Sequence, residues 1–217
     1  MTDAAGETYI SDDRLRYICG IIKAVSQRYV HRLPVDIDHL CRLHGARMTT
    51  LEDAEALGLD RGIVLKCMGN RDGVATRGHK VWGIIYNKNA PINRLRFTLA
   101  EEFCHTILGH TLDPRFNALD PSYDEEVYRR YEAEAKLAAD LLLIPPSVWF
   151  RYRRTVPAGG LEELFGVSGA CLWTASQMYA ARGRELMDAW GTGWLPTELA
   201  IRGLEKRARD MRPVPVE

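Results

Sequence analysis

The spacing of apolar residues along the chain predicts that most of it is helical. Over residues 12–29, apolar side chains recur at three- and four-residue intervals and fall on one helical face: Leu15, Ile18, Ile22 and Val25. A short second helix is expected after Pro34 and ends at Gly45. Helical periodicity returns at Pro91 and predicts five more segments, at residues 93–109, 123–143, 161–165, 169–187 and 197–211. Proline and glycine residues separate these segments.

The composition of residues 46–90 differs from that of the flanking segments and predicts a small sheet. Glycines are frequent there, and Gly62–Met68 and Val81–Tyr86 are rich in the β-branched and aromatic residues that strands favour. The run Gly-Asn-Arg-Asp-Gly at residues 69–73 has turn chemistry. We therefore expect an antiparallel sheet. The predicted fold class is α+β, a mostly helical domain with a small antiparallel sheet.

The C-terminal region is predicted to be helical and to resemble a helix-turn-helix. Leu161–Met178 has that layout, with residues 166–168 as the turn and cap. The second helix begins with residues that offer almost no donors for base edges or phosphates, so we expect no direct nucleic-acid binding. The chain is predicted to divide into a flexible N-terminus, a main domain and a C-terminal helical extension packed on it, at residues 1–11, 12–150 and 151–217.

The charge balance, the short apolar runs and the cysteine pattern argue against several classes of protein. The 29 Lys and Arg residues balance 29 Asp and Glu residues, which argues against a non-specific nucleic-acid binder because such a domain is net basic. The apolar runs are far shorter than the ~20 residues of a membrane helix, so no membrane association is expected. Five scattered cysteines without a C-x-x-C pair indicate neither a disulfide framework nor a thiolate zinc site. These features are typical of a cytoplasmic protein.

The segment with candidate chemistry lies at residues 94–110. Glu101 and His105 are four residues apart, so they share one face of the predicted helix, and Glu102 lies about 100° around the axis from Glu101. In zinc hydrolases, two side chains at this spacing hold the ion and a neighbouring Glu handles the proton of water. Both of these side chains are histidines in the usual H-E-x-x-H motif. Here the first position is a carboxylate.

This segment resembles the ImmA/IrrE family of metallo-endopeptidases, whose pattern runs approximately R-F-T-x-A-H-E-x-x-H-x-x-L-x-H. The matching residues are Arg96, Phe97, Thr98, Ala100, Glu102, His105, Leu108 and His110. Residues 132–145 are similar to the second family block, E-x-E-A-[ND]-x-F-A-x-x-L-L-x-P, and Leu164–Ser168 is similar to the F-x-V-S element that follows. The resemblance covers about residues 34–180. It implies that residues 12–150 form a zincin-like metallopeptidase domain.

The resemblance also implies a mechanism for a metal-dependent endopeptidase. In the family, a Glu from the second helix completes the metal site; Glu132 is expected in that position, and Glu134 is the alternative. Together with Glu101 and His105 it would hold Zn²⁺ and leave an open position for water. Glu102 would act as the general base. Because family members often cleave helix-turn-helix repressors, the resemblance implies a protein partner of that kind.

Two departures from the family pattern leave a second hypothesis open. Glu101 replaces a neutral imidazole and adds one negative charge, which suits Mn²⁺ better than Zn²⁺. Lys136 stands where the family usually has Asn or Asp. Without a metal, Lys136 could pair with Glu101 or Glu132 in the position of the ion. The alternative function is therefore that of a metal-free pseudo-peptidase, which acts as a protein-binding regulatory module.

His110 is the last residue of the family pattern. It lies five residues beyond His105, so on a continuous helix it would face a different side. We therefore expect a polar helix-end residue at this position rather than a metal ligand.

Overall fold

A computed structural model describes residues 10–69, 71–77, 82–117 and 122–191. Within these ranges the chain is mostly helical, and its helices are α1 (Asp12–Tyr29), α2 (Ile37–Leu43), α3 (Leu51–Ala56), α4 (Arg61–Met68), α5 (Ile92–Ile107), α6 (Glu125–Leu143), α7 (Pro146–Tyr152), α8 (Ala158–Phe165) and α9 (Gly169–Trp190). The strands are β1 (Arg47–Thr50), β2 (Gly73–Arg77) and β3 (Trp82–Tyr86). None of these helices combines the length and apolarity that a membrane span requires. The predicted helix at 197–211 lies outside the described residues.

The described residues fall into two compact units. One is built on Ile37–Ala139, and the other on Asp12–Asp36 together with residues 140–191. The first unit contains the sheet, helices α2 to α5 and most of α6. The second contains α1 and helices α7 to α9.

The predicted α+β class is confirmed, but the sheet of the first unit is mixed rather than antiparallel throughout. Its strand order is β1-β3-β2. Strands β2 and β3 are antiparallel as expected, with Val74 opposite Ile85, whereas β1 and β3 are parallel, with Met48 opposite Ile84. Parallel neighbours need a crossover connection, and here α3, α4 and β2 supply it.

Residues 62–68, predicted to be part of the sheet, belong to helix α4 instead. The side chain of Asp60 accepts a hydrogen bond from the backbone N–H of Ile63 at 2.9 Å and caps the helix. Val64 and Met68, four residues apart, are buried in a cluster with Ala54 and Ile85. The cap and this burial on one helical face outweigh the strand preference of the β-branched residues.

Helix α5 packs on β2 and β3 and carries the candidate chemistry. Gly73 permits a close approach, because a Cβ at this position would lie 2.9 Å from Cγ2 of Thr98. Every residue from Thr98 to His105 is buried, so this part of the helix is covered on all sides. Its charged side chains are therefore buried as well, and buried charges require partners.

The second unit contains the predicted C-terminal helices. Helix α9 packs on α1 and α7. Helices α8 and α9 are joined by a turn in which Gly166 has a left-handed φ of 63°. The hydroxyl of Ser168 accepts a hydrogen bond from the backbone N–H of Cys171 at 3.2 Å and caps α9. These features form the helix-turn-helix-like layout that the sequence predicts.

Candidate metal centre

Three charged or polar side chains of α5 are buried next to one another: Glu101, Glu102 and His105. Their exposed fractions are 4%, 2% and 0%. The backbone N–H of Ala75, in β2, donates a hydrogen bond to Oε2 of Glu102 at 2.6 Å. β2 is an edge strand of the sheet, so its outward-facing N–H is free to hold this carboxylate. The helix and the sheet edge therefore meet at Glu102.

Helix α6 brings a third acidic residue to the same place. One carboxylate oxygen of Glu101, one of Glu132 and a ring nitrogen of His105 all lie within 4.8 Å of one another. Nε2 of His105 is 3.5 Å from Oε1 of Glu132. The structure thus brings together the three residues that the sequence analysis selected, and two carboxylates and an imidazole are a legitimate ligand set for a divalent ion.

Unpaired polar atoms line this cluster. Oε1 of Glu101, Oε1 of Glu102 and Nε2 of His105 are buried and have no hydrogen-bond partner among the residues that the structure describes. Buried polar atoms in proteins are nearly always paired, because an unpaired one costs free energy. Two of these atoms, on Glu101 and His105, belong to the residues whose ligand atoms converge within 4.8 Å, and a shared cation would satisfy both. The residues present therefore fit a divalent metal ion.

Arg71 also contacts this cluster, and the sequence analysis did not single it out. Its Nη1 lies 2.7 Å from Oε1 of Glu132 and 3.6 Å from Oε1 of Glu102. Its Nε donates to the carbonyl oxygen of Met68 at 3.4 Å. Because Arg71 is 61 residues from Glu132, no spacing rule connects the two. The only available signal was charge balance, since three carboxylates and one imidazole call for a nearby cation.

The loop that carries Arg71 is anchored by its next residue. The carboxylate of Asp72 accepts a hydrogen bond from Nη2 of Arg94 in α5 at 3.0 Å. The backbone carbonyl of Asp72 accepts a second one from the N–H of Asn87 at 2.8 Å. These contacts tie the loop to α5 and to the end of β3, so the backbone next to Arg71 is anchored.

For a metal-free site, the sequence suggests that Lys136 pairs with Glu101 or Glu132. Lys136 is exposed and forms no ion pair with any described residue. Its positive charge acts on the cluster through space and lowers the pKa of Glu101 and of Glu132. The direct ion pair with Glu132 is made by Arg71 instead.

The three carboxyl groups differ in pKa because burial and neighbouring charges affect each of them differently. Burial, followed by the charge of Glu132, raises the pKa of Glu101 to about 7. Burial raises the pKa of Glu102 to about 8, although Arg71 opposes it. Burial also acts to raise the pKa of Glu132, but His105 and Arg71 outweigh it and lower the value to about 2. Burial lowers the pKa of His105. Glu132 is therefore the carboxylate that is ionised, and it is paired with Arg71.

His110 and Glu134 form a second buried group behind His105. Nδ1 of His110 lies 3.1 Å from Nδ1 of His105, and its Nε2 lies 3.0 Å from Oε2 of Glu134. Tyr131 stacks on His110, and Phe116 stacks on His105, with ring centroids 4.2 Å and 4.7 Å apart. Glu134, the alternative third ligand, thus contacts His110, and Glu132 lies at the three-residue cluster. His110 lies just past the end of α5, as expected, in a 3₁₀ helix (His110–Leu112), and its side chain is buried.

Comparison with known families agrees with the resemblance of the two sequence blocks. The model of a peptidase family, described as the IrrE N-terminal-like domain, matches residues 62–168. That range contains the three residues of the cluster together with Glu102 and Arg71. No curated protein sequence matches the chain significantly.

Proposed function

Residues 62–168 of this chain belong to the IrrE N-terminal-like family of peptidases, and from that premise we propose that the protein is a metal-dependent endopeptidase. One observation carries the proposal: the ligand atoms of Glu101, His105 and Glu132 converge within 4.8 Å. The unpaired, buried Oε1 of Glu101 and Nε2 of His105 support it.

Each residue has a role that follows from its position. Glu101, His105 and Glu132 would hold a divalent ion, which would supply Lewis acidity toward a peptide carbonyl and toward water. Glu102 takes a proton from the attacking water and delivers it to the leaving amine nitrogen. The N–H of Ala75 fixes one oxygen of Glu102, and the other oxygen has no hydrogen-bond partner among the described residues. That second oxygen is the one available for proton transfer.

Arg71 compensates for the unusual ligand set. With Glu101, Glu102 and Glu132 ionised, a divalent ion leaves one negative charge, and the guanidinium of Arg71 cancels it. A centre with two histidines and the same two other glutamates would be neutral without an arginine. Carboxylates and an imidazole can bind Zn²⁺, and the second carboxylate favours a harder ion such as Mn²⁺.

The proposed substrate is a protein, such as a helix-turn-helix transcriptional repressor, whose cleavage would regulate transcription. Its support is the family resemblance. We place the reaction in the cytoplasm, because all five cysteines are free thiols, which fits a reducing compartment.

The experiment compares the native protein with Glu102→Gln, which keeps the size of the side chain and removes the base. Fluorescein-labelled casein and a mixed peptide library serve as probes, each with Zn²⁺ and with Mn²⁺. We expect cleavage by the native protein and its loss in Glu102→Gln, with metal binding retained. Glu126→Gln, an exposed position of α6, is the control and should cleave normally. Absence of cleavage by the native protein with either ion, or cleavage that survives Glu102→Gln, would overturn the proposal.

A second candidate is a metal-free protein-binding module, and one observation favours it. The guanidinium of Arg71 already supplies a cation to Glu132 at 2.7 Å, so the cluster has a charge partner without an ion. This candidate predicts a folded protein that takes up neither Zn²⁺ nor Mn²⁺ when incubated with either. The endopeptidase predicts uptake at the three-residue cluster.

A further inference from the structure

A chain of three buried side chains leads away from the metal centre. It runs from Glu134 through His110 to His105, with contacts of 3.0 Å and 3.1 Å. The exposed fractions of the two outer members, Glu134 and His110, are 3% and 1%. The proposed peptidase mechanism uses neither of these two residues.

With Glu134 ionised and both imidazoles neutral, the contacts along this series fix the positions of the hydrogens. A carboxylate oxygen only accepts, so the ring nitrogen of His110 that faces Glu134, Nε2, carries the hydrogen. Nδ1 of a neutral His110 is then an acceptor. Since Nδ1 of His105 faces that acceptor, it must be the donor. The remaining nitrogen of His105, Nε2, is left with a lone pair.

That lone pair faces the metal centre. Nε2 of His105 is the buried atom without a hydrogen-bond partner, and it lies 3.5 Å from Oε1 of Glu132, beyond normal hydrogen-bond range. Glu132 and Glu134 are two residues apart on α6, so their side chains leave the helix about 200° apart. The imidazole of His105 lies between them: one nitrogen faces Glu132, and the other faces His110, which contacts Glu134.

We propose that His110 and Glu134 are positioning residues that fix His105 in the Nδ1–H tautomer, so that Nε2 is ready to bind a divalent ion before the ion arrives. The inference rests on the proposed function, because it assigns a role to residues behind the same site. Aromatic packing supports it. Phe116 stacks on His105 and Tyr131 on His110, so neither ring can turn without losing a contact.

The test separates a tautomer-setting role from simple core packing. His110→Phe keeps an aromatic ring of similar shape against Tyr131 and removes the acceptor. His110→Asn places an amide oxygen near the position of Nδ1 and can accept from His105. Glu134→Gln changes the outermost of the three side chains, the one that contacts His110. Glu126→Gln on the exposed surface of the same helix is the control. Thermal melts verify that each variant is folded.

Two measurements are made on metal-free protein near pH 8, where imidazoles are neutral. Long-range ¹H–¹⁵N NMR reports which ring nitrogen of His105 carries the hydrogen, with His105→Ala providing the assignment. Calorimetry reports the affinity for Zn²⁺. We expect the Nδ1–H tautomer in the native protein, and in His110→Phe a mixture of tautomers with an affinity lower by about 10- to 100-fold. His110→Asn should recover most of this loss.

The inference is overturned by an Nε2–H tautomer of His105 in the native protein, which can be observed whether or not any variant folds. It is also overturned if His110→Phe, once folded, binds Zn²⁺ as tightly as the native protein. These outcomes are distinct from failure of the proposed function. Zn²⁺ binding that depends on His110, without any peptide cleavage, would remove the peptidase and leave the positioning role intact.

Discussion

Replacing Arg71 by glutamine should tighten the binding of divalent ions. The guanidinium lies 2.7 Å from Oε1 of Glu132 and 3.6 Å from Oε1 of Glu102, so it competes with an ion for the same carboxylates. Glutamine removes the positive charge and keeps a polar side chain. The chosen change therefore isolates the electrostatic effect of the guanidinium on the centre.

The size of the effect follows from the geometry. A zinc ligand oxygen lies ~2.1 Å from its ion, so an ion on Oε1 of Glu132 is at most about 4.8 Å from Nη1 of Arg71. Repulsion between a single and a double positive charge at that distance is about 1.7 kcal/mol even with the dielectric constant of bulk water, and it grows in a less polar surrounding. Because about 1.4 kcal/mol corresponds to tenfold, Arg71→Gln should tighten binding by about tenfold.

Isothermal titration with Zn²⁺ and with Mn²⁺ measures this directly. Arg71→Lys keeps the charge and should bind much like the native protein. Arg61→Gln removes an arginine that pairs with exposed Glu55 at 3.0 Å and should have no effect. An equal or weaker affinity in Arg71→Gln would refute the reasoning, since it would mean that the arginine supports the ligand Glu132 more than it repels an ion.

Two further predictions concern the scaffold. Gly83→Ala should destabilise the fold by about 1–3 kcal/mol, measured by chemical denaturation, because the added Cβ would lie 2.6 Å from the backbone oxygen of Arg47. A Cβ added at Gly20 would meet no neighbouring heavy atom within 4 Å, so Gly20→Ala should be neutral or stabilising. Equal effects of the two substitutions would contradict the packing argument. Cys41 should resist alkylation until the protein unfolds, because burial raises the pKa of its thiol to about 12; labelling of the native protein at the rate of a free thiol would contradict this.

The parts of the fold that local periodicity controls could be predicted from the sequence. Helix α1 has the predicted bounds, Asp12–Tyr29, because its apolar residues repeat along one face. Residues 62–68 form a helix rather than the predicted part of the sheet. Asp60 caps this helix, and its four-residue spacing lets Val64 and Met68 be buried together. The parallel pairing of β1 and β3 could not be predicted from the sequence either, because strand direction depends on the crossover connection rather than on composition.

The candidate site divides in the same way. The convergence of Glu101 and His105 follows from their four-residue spacing on a helix, and the family resemblance indicated Glu132. Arg71 and the contact between His105 and His110 could not be found by spacing. Arg71 lies in a loop that is bound to α5. After α5, Gly109 has a left-handed φ of 82°, which turns His110 back towards His105. Both depend on how segments fold onto one another.

The central claim is that Glu101, His105 and Glu132 together hold a divalent ion. Its most direct test is the metal content of the native protein and of His105→Ala, measured by mass spectrometry after equilibration with Zn²⁺ and gel filtration. The account predicts one ion per native chain and none in the folded variant. A native protein that retains no ion, or a variant that retains as much as the native protein, would contradict it.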